Sequence, residues 1–130
     1  MDHEKHEIIL FREESYAIQG AIFDVYREMG CGFLESVYQE CLEKELSKRA
    51  IPFEVRKELQ LSYKGEPLRQ IFKPDLICYG KIIIELKAVR ELAPGHAAQV
   101  LNYLKATGMT LGLLVNFCSH PKVTIKRFAR

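Results

Sequence analysis

The stretch "FKPDLICYGKIIIELKAV", Phe72 to Val89, decides the fold of this 130-residue chain. Its isoleucine run, Ile82 to Ile84, is typical of a central strand, because β-branched side chains pack well in a sheet. The charged residues Asp75, Glu85 and Lys87 nevertheless stand inside this apolar stretch. Ionised groups are costly to bury unless they are paired or bind a metal. We therefore take these charges as candidates for a functional site.

The register of the predicted hairpin decides whether the two carboxylates meet. Side chains alternate along a strand, so Glu85 and Lys87 share one face. A three-residue loop at residues 79–81 places Asp75 directly opposite Glu85, whereas a two-residue loop pairs it with Ile84 and turns it to the other face. Gly80 is compatible with either loop. In the first register the two carboxylates lie within about 5 Å of each other.

Carboxylates at that separation repel each other, by several kcal/mol at the effective dielectric of a protein surface. The repulsion is relieved by a raised pKa, by the neighbouring lysine or by a divalent cation. Magnesium takes oxygen ligands and keeps several waters, so two carboxylates supply part of its coordination shell. A structural network of Asp75, Lys87 and Glu85 without any metal explains the spacing equally well.

The periodicity of apolar residues predicts the order ααβββαββ, an α/β chain with a mixed sheet and helices on its faces. We expect one domain at residues 15–130 after a mobile N-terminal segment at residues 1–14. The predicted elements are helices from about Ser15 to Met29, Leu34 to Arg49 and Ala93 to Thr107, and strands from about Val55 to Tyr63, Leu68 to Cys78, Ile82 to Val89, Met109 to Phe117 and Lys122 to Phe128.

Composition narrows the function only a little. The formal net charge of +2 is too small to indicate nucleic-acid binding by itself. The basic end, "KVTIKRFAR", fits a phosphate-binding segment or, as a simpler interpretation, a solvated edge strand. No apolar run approaches the roughly 20 residues that a membrane span needs, so we expect no membrane association.

The cysteines and histidines suggest a reduced protein without zinc. The four cysteines are far apart and form no CxxC pair, and no signal peptide is recognisable, so we expect reduced thiols and a cytoplasmic location. His3 and His6 have helical spacing, but termini are usually poorly ordered, so we do not expect them to bind a metal.

Two further motifs carry polar residues at helical spacing. In "GFLESVY", Glu35 falls in the first turn of the second helix and Tyr38 follows one turn later. A glutamate there also complements the helix dipole or closes a capping box. In the third helix Gln99 lies between His96 and Tyr103, which gives one polar strip. Such a strip is either solvent-facing or part of a site.

These motifs together resemble a known nuclease group. "GFLESVY" is similar to the signature of the GxxExxY protein family, with Gly32, Glu35 and Tyr38 at its lettered positions. "PD" at Pro74-Asp75, followed by "ELK" at Glu85–Lys87, resembles the signature of the PD-(D/E)xK nuclease-like superfamily, to which that family is assigned.

The likeness extends from about Ser15 to Arg130 and implies a restriction-endonuclease-like three-layer core. One departure is Cys31, where we expect proline in many relatives. This change loosens the turn before Glu35 but touches none of the implied ligands.

The resemblance also implies roles for individual residues. Lys87 would orient or activate the attacking water and stabilise charge on the phosphate. The implied metal is Mg²⁺ or Mn²⁺. The implied ligands are Asp75, Glu85, Glu35 and the backbone carbonyl of Leu86; Gln99 is a further catalytic candidate, and Tyr38 and Tyr103 are expected to flank the substrate.

Two functions from different classes are compatible with this sequence. One is a metal-dependent nuclease hydrolysing phosphodiester bonds in DNA or RNA. The other is a non-catalytic module with the same fold that binds nucleic acid or a protein partner. A homodimer that uses a sheet edge or the first helix is a third interpretation.

Overall fold

The computed structural model describes residues 11–130. Within this range the chain forms three helices and seven strands, in the order ααβββββαββ. The helices are α1 (Arg12–Met29), α2 (Glu35–Lys48) and α3 (Pro94–Thr107), and the strands are β1 (Phe53–Val55), β2 (Leu59–Tyr63), β3 (Glu66–Phe72), β4 (Leu76–Cys78), β5 (Ile82–Lys87), β6 (Leu111–Asn116) and β7 (Thr124–Ala129).

The predicted fold class, a mixed α/β sheet with helices on its faces, is confirmed. Five strands form one sheet in the order β1-β4-β5-β6-β7, in which β5 and β6 are parallel and the other neighbours are antiparallel. Helices α1 and α2 contribute to the larger core on one face, and α3 packs on the other face. The helices and the sheet therefore make three layers.

Two of the predicted strands are each divided in two. The chain reverses direction locally at Arg56, whose φ is 49°, so that β1 joins the main sheet and β2 pairs with β3 in a separate hairpin. The next predicted strand is likewise interrupted at residues 73–75, between β3 and β4. The sequence analysis joined the segments on either side of each break into one strand and did not predict the breaks.

The β4–β5 hairpin has the three-residue loop. Leu76 pairs with Ile84 and Cys78 pairs with Ile82, leaving residues 79–81 as the loop. Tyr79 and Gly80 both have positive φ values, 56° and 68°, which this tight connection requires. Continuing the register by one residue places Asp75 opposite Glu85.

Gly112 lets α3 approach the sheet closely. A Cβ atom at Gly112 would lie 2.9 Å from Val100 Cγ1, well inside ordinary contact distance. Val100 and Leu104 therefore pack directly on the backbone of β6. This close packing sets the position of the α3 residues that face the candidate site.

The expectation of reduced thiols is wrong for one pair of cysteines. Cys31 and Cys118 form a disulfide with a Cα–Cα distance of 4.9 Å, whereas Cys41 and Cys78 are free. The partners are 87 residues apart in sequence, and the fold brings the α1–α2 connection next to the end of β6. The predicted cytoplasmic location rested in part on reduced thiols and stays a prediction.

Helix α1 begins before the predicted start of the domain. Residues 12–14 belong to the first turn of α1, and Glu14 forms a 2.6 Å ion pair with Lys81. The division into a mobile segment at residues 1–14 and a domain at residues 15–130 stays a prediction. Residues 1–10, including His3 and His6, lie outside the described part.

None of the helices within residues 11–130 combines the length and apolar character needed to cross a bilayer.

Candidate functional site

Asp75 and Glu85 meet where β4 begins and β5 approaches its end. Asp75 Oδ2 accepts a 2.7 Å hydrogen bond from the backbone amide of Leu86. Glu85 Oε1 accepts a 3.3 Å hydrogen bond from the backbone amide of Asp75. Together these two bonds across the hairpin hold both carboxylates at one location, and Asp75 is buried.

The proximity of the two carboxylates makes ionisation of Glu85 costly. Burial, followed by the negative charge of Asp75, raises the pKa of Glu85 to about 8. The hydrogen bond from the Asp75 amide and the positive charge of Lys87 oppose the shift without cancelling it. Around neutral pH the pair therefore holds a proton that a divalent cation would displace.

Lys87 lies two residues beyond Glu85 on the same face of β5. Both side chains line one pocket, and both residues are partly buried. The Lys87 charge acts on Glu85 and also on Glu35 of α2. One ammonium group thus lies among three carboxylates contributed by separate elements.

Glu35 is the first residue of α2 and lies at the edge of this cluster. Although the residue as a whole is exposed, partial desolvation of its carboxylate raises the pKa of Glu35. Lys87 lowers that pKa and Asp75 raises it, so both charges act across the gap between α2 and the sheet. Within residues 11–130, however, no three His, Cys, Asp or Glu side chains are close enough to form a complete metal-binding group.

Two residues near Asp75 were missed by the sequence analysis. Gln39 Nε2 donates a 3.0 Å hydrogen bond to the Asp75 carbonyl, and the Arg56 amide donates to the same carbonyl at 3.3 Å. The Arg56 guanidinium lies 4.0 Å from Asp75 Oδ1. Gln39 is one helical turn beyond Glu35, so the spacing of four could have suggested it. Arg56 had no comparable signal, because the chain break there was not predicted.

Tyr38 has a structural position instead of the one we expected. Its side chain is fully buried, and its ring stacks on Phe117 with 4.4 Å between centroids. Its hydroxyl donates to the Gly30 carbonyl and accepts a 3.4 Å hydrogen bond from the Phe33 amide. This position does not fit a substrate-flanking role, because no part of the side chain reaches the surface.

Gln99 and Tyr103 lie across the pocket from the strand residues. Both project from α3 into a pocket of about 270 Å³ that Glu85 and Lys87 also line. The Tyr103 ring stacks on Phe72, with 3.7 Å between centroids. The structure thus brings Asp75, Glu85 and Lys87 together, with Glu35 at the edge of the cluster and the α3 residues at the adjoining pocket.

The donor groups of this site suit a hard divalent cation. Asp75 and Glu85 present carboxylate oxygens side by side, and burial, followed by the charge of Asp75, raises the pKa of Glu85 despite the opposing charge of Lys87. Mg²⁺ and Mn²⁺ favour such oxygen ligands and complete their coordination with water. Two carboxylates are therefore sufficient protein ligands for a partly hydrated ion.

Comparison with known proteins identifies the superfamily. The model of the PD-(D/E)XK nuclease superfamily matches residues 12–128. The chain therefore belongs to the PD-(D/E)XK nuclease superfamily. No curated protein matches the chain.

One of the similar solved structures is the crystal structure of SSO0001. It is 19% identical in sequence, and its TM-score is 0.54. The match covers 73% of this chain and 49% of that chain, so this chain spans about half the length of SSO0001. At this identity the likeness shows a shared fold and nothing about the reaction.

Proposed function

We propose that the single domain predicted at residues 15–130 is a metal-dependent nuclease that hydrolyses phosphodiester bonds in DNA or RNA. The observation that carries this proposal is a pair of hydrogen bonds across the β4–β5 hairpin, from the Leu86 amide to the Asp75 carboxylate and from the Asp75 amide to the Glu85 carboxylate. Lys87 follows on the same face, which provides an amine beside the acidic pair. Superfamily membership supports the reaction class, although fold alone does not determine function.

Asp75, Glu85 and the Leu86 carbonyl would hold Mg²⁺ or Mn²⁺. Because the N–H and C=O groups of one strand residue point to the same side, the amide bond from Leu86 to Asp75 also turns the Leu86 carbonyl toward Asp75. Glu35 would contribute a further carboxylate, through water, from the first turn of α2. The bound ion would supply an activated water and stabilise negative charge on the phosphate.

Lys87 would act on the attacking water and on the phosphate. Lys87 is partly buried and lines the same pocket as Glu85, where a scissile phosphate would enter. A fixed positive charge in a partly dehydrated site stabilises developing negative charge more strongly than it does in water. Gln99, across the pocket, would orient a phosphate oxygen or the attacking water by hydrogen bonding.

We also propose that the chain belongs to the GxxExxY group within this superfamily. The local structure provides a physical reason for the residue type at each of the three signature positions, Gly32, Glu35 and Tyr38. Gly32 has a φ of 122°, which favours glycine, and Tyr38 ties the preceding connection together through Gly30. Glu35 then begins α2 beside the carboxylate pair.

Incubation of purified protein with labelled DNA and RNA tests the nuclease proposal. We expect cleavage with Mg²⁺ or Mn²⁺, none with chelator, and at least a 100-fold loss in Asp75→Asn and Glu85→Gln. Glu40→Gln, an exposed carboxylate on α2, serves as the matched control and should retain activity. Metal-independent cleavage, or full activity in both site variants, would overturn the proposal.

A non-catalytic module that binds nucleic acid or a protein partner is the second candidate. Two observations favour it: no complete three-residue metal group occurs within residues 11–130, and the net charge of +2 provides little affinity for a phosphate backbone. Calorimetry that shows no heat of Mg²⁺ or Mn²⁺ binding would support this function. Light scattering on the same protein sample would establish whether the chain forms a homodimer, which the sequence left open.

A further inference from the structure

The pocket beside Glu85 and Lys87 includes an aromatic pair among its lining residues. Phosphodiester hydrolysis needs charge and water, and neither requires such a pair. Phe72 and Tyr103 form a stacked pair in one wall, with an interplanar angle of 5°. The other apolar lining residues are Ile71, Ile83, Val100 and Leu114.

Polar groups line the same pocket beside the aromatic pair. Lys73, His96 and Gln99 line the pocket together with the two site residues. His96 Nδ1 accepts a 3.1 Å hydrogen bond from the Ala93 amide, which fixes the imidazole and leaves Nε2 as the ring nitrogen for a ligand. An aromatic wall with donors and acceptors around it is the arrangement by which proteins bind a single nucleobase, through stacking and bonds to its edge.

The size of the pocket restricts what enters. Its volume of about 270 Å³ falls just below the range of roughly 300–1,000 Å³ typical of sites for drug-sized ligands. One base fits such a volume, whereas a base pair with its stacked neighbours does not. A base inside a duplex must leave the stack to enter, which costs a few kcal/mol and costs least when the strand is already unpaired.

We propose that this pocket binds one unpaired nucleobase next to the scissile phosphate, so that the substrate is single-stranded or locally unpaired nucleic acid. This inference rests on the proposed nuclease function. The base stacks against the Phe72–Tyr103 wall, and its edge faces His96 and Gln99. The adjoining phosphate then lies at Glu85 and Lys87, on the side of the pocket nearest Asp75.

A comparison of substrates gives the first test. Oligonucleotides of one sequence are supplied as a single strand, as a blunt duplex and as a duplex with a single-stranded overhang, all with Mn²⁺. We expect cleavage of the single strand and of the overhang at least 10-fold faster than cleavage of the duplex. Equal rates on all three would overturn this inference while leaving the nuclease proposal intact.

A binding measurement separates the two proposals. A single strand that carries 2-aminopurine is titrated with the protein in Ca²⁺, and stacking of the fluorescent base is followed as quenching. Quenching without cleavage of any substrate in Mn²⁺ would support the base pocket and contradict the nuclease function. Absence of quenching, with cleavage intact, would contradict the base pocket.

Variants of Tyr103 test the wall itself. Since base–aromatic stacking lost on alanine substitution weakens binding by roughly 5- to 150-fold, we expect such a loss in Tyr103→Ala and near-normal binding in Tyr103→Phe. Tyr63→Ala, on the separate hairpin and 61% exposed, is the matched control.

An abasic nucleotide distinguishes contact from misfolding. Replacing one nucleotide at a time along the strand should identify a single position where the missing base weakens binding to the wild-type protein. The same abasic strand should bind Tyr103→Ala no worse than the intact strand does, because the stacking partner is already gone. If the loss of affinity in Tyr103→Ala multiplies with the loss caused by the abasic nucleotide when the two are combined, Tyr103 does not contact that base and the assignment is wrong.

Discussion

The Asp75 carboxylate accepts a 2.7 Å hydrogen bond from the Leu86 backbone amide, and this bond ties the beginning of β4 to the end of β5. The bond is buried, so the amide would lack a partner without it. Asp75 therefore has a structural role in addition to its proposed role as a metal ligand.

Two substitutions separate these roles of Asp75. Asp75→Ala leaves the Leu86 amide unsatisfied and should lower the free energy of unfolding by about 1–3 kcal/mol. Asp75→Asn retains an acceptor oxygen and should lose clearly less. Both should weaken Mn²⁺ binding at least 10-fold, because the charge is removed. Urea denaturation and calorimetry measure the two effects, and equal stability of the two variants would contradict the structural role.

Replacement of Lys87 should affect chemistry more than folding. Positioned groups that transfer protons or orient water contribute about 10²- to 10⁴-fold to rate, so we expect Lys87→Ala to reduce kcat by that amount. Metal binding should persist, because Asp75 and Glu85 remain. Lys44→Ala, on the exposed surface of α2, is the control. Cleavage at more than half of the wild-type rate would remove Lys87 from the mechanism.

The raised pKa of Glu85 predicts how metal binding depends on pH. The carboxyl group must release its proton to bind the ion, so Mn²⁺ affinity should rise with pH up to about 8 and level off above it. Calorimetry between pH 6 and 9 measures this dependence. Affinity that is constant over the whole range would contradict the assignment.

The raised pKa of Glu85 also predicts how the free energy of unfolding depends on pH in the absence of metal. Between the ordinary value of 4.5 and about 8, folded Glu85 keeps a proton that the unfolded chain has lost. Stability contributed by this group is therefore full below pH 4.5 and decreases as pH rises to about 8. Glu85→Gln should flatten this part of the curve in urea denaturation with chelator. An unchanged curve in the variant would show that Glu85 does not titrate in this range.

The Tyr38 hydroxyl should stabilise the connection before α2. Tyr38→Phe removes the bonds to Gly30 and Phe33 but keeps the ring stacked on Phe117, so we expect a loss of about 0.5–1.5 kcal/mol in the free energy of unfolding. Tyr16→Phe, at a side chain that is 79% exposed, should change stability little. Thermal and urea denaturation compare the two. Equal effects would mean that the hydroxyl bonds contribute nothing measurable.

Gly112 and Gly95 provide a matched test of the α3 packing. An alanine at Gly112 places Cβ against Val100, and overpacking of this kind costs about 1–3 kcal/mol. Gly95 has open space around it within α3, so Gly95→Ala should be neutral or slightly stabilising. Gly112→Ala should also disturb the pocket beside Gln99. If both variants are equally stable, the packing of α3 on β6 does not require glycine at position 112.

Local patterns predicted most of the elements. Helices α1, α2 and α3 were predicted from periodicity, because burial of one face requires apolar residues at intervals that match the helical repeat. Strands β5 and β6 were predicted from apolar, β-branched runs, because central strands are buried on both faces. The superfamily was predicted from the resemblance of "GFLESVY", Pro74-Asp75 and Glu85–Lys87 to known signatures, and the family match confirms it. The functions assigned to these residues remain predictions.

Other features depended on contacts between distant parts of the chain. Arg56 and Gln39 approach Asp75 only because the chain leaves the main sheet after β1 and α2 packs beside β4. The bond from Cys31 to Cys118 depends likewise on the α1–α2 connection reaching the end of β6. No local pattern encodes either contact.

The sequence by itself determined the apolar strand with its inserted charges and the helices that cover the sheet, because these depend on spacing along the chain. Only the tertiary structure decided that Asp75 faces Glu85, that Tyr38 is buried, and that Tyr103 forms the wall of a pocket. The physical reason is that hairpin register and helix packing are selected by the total burial and hydrogen bonding of the whole molecule, and short segments of sequence are compatible with more than one outcome.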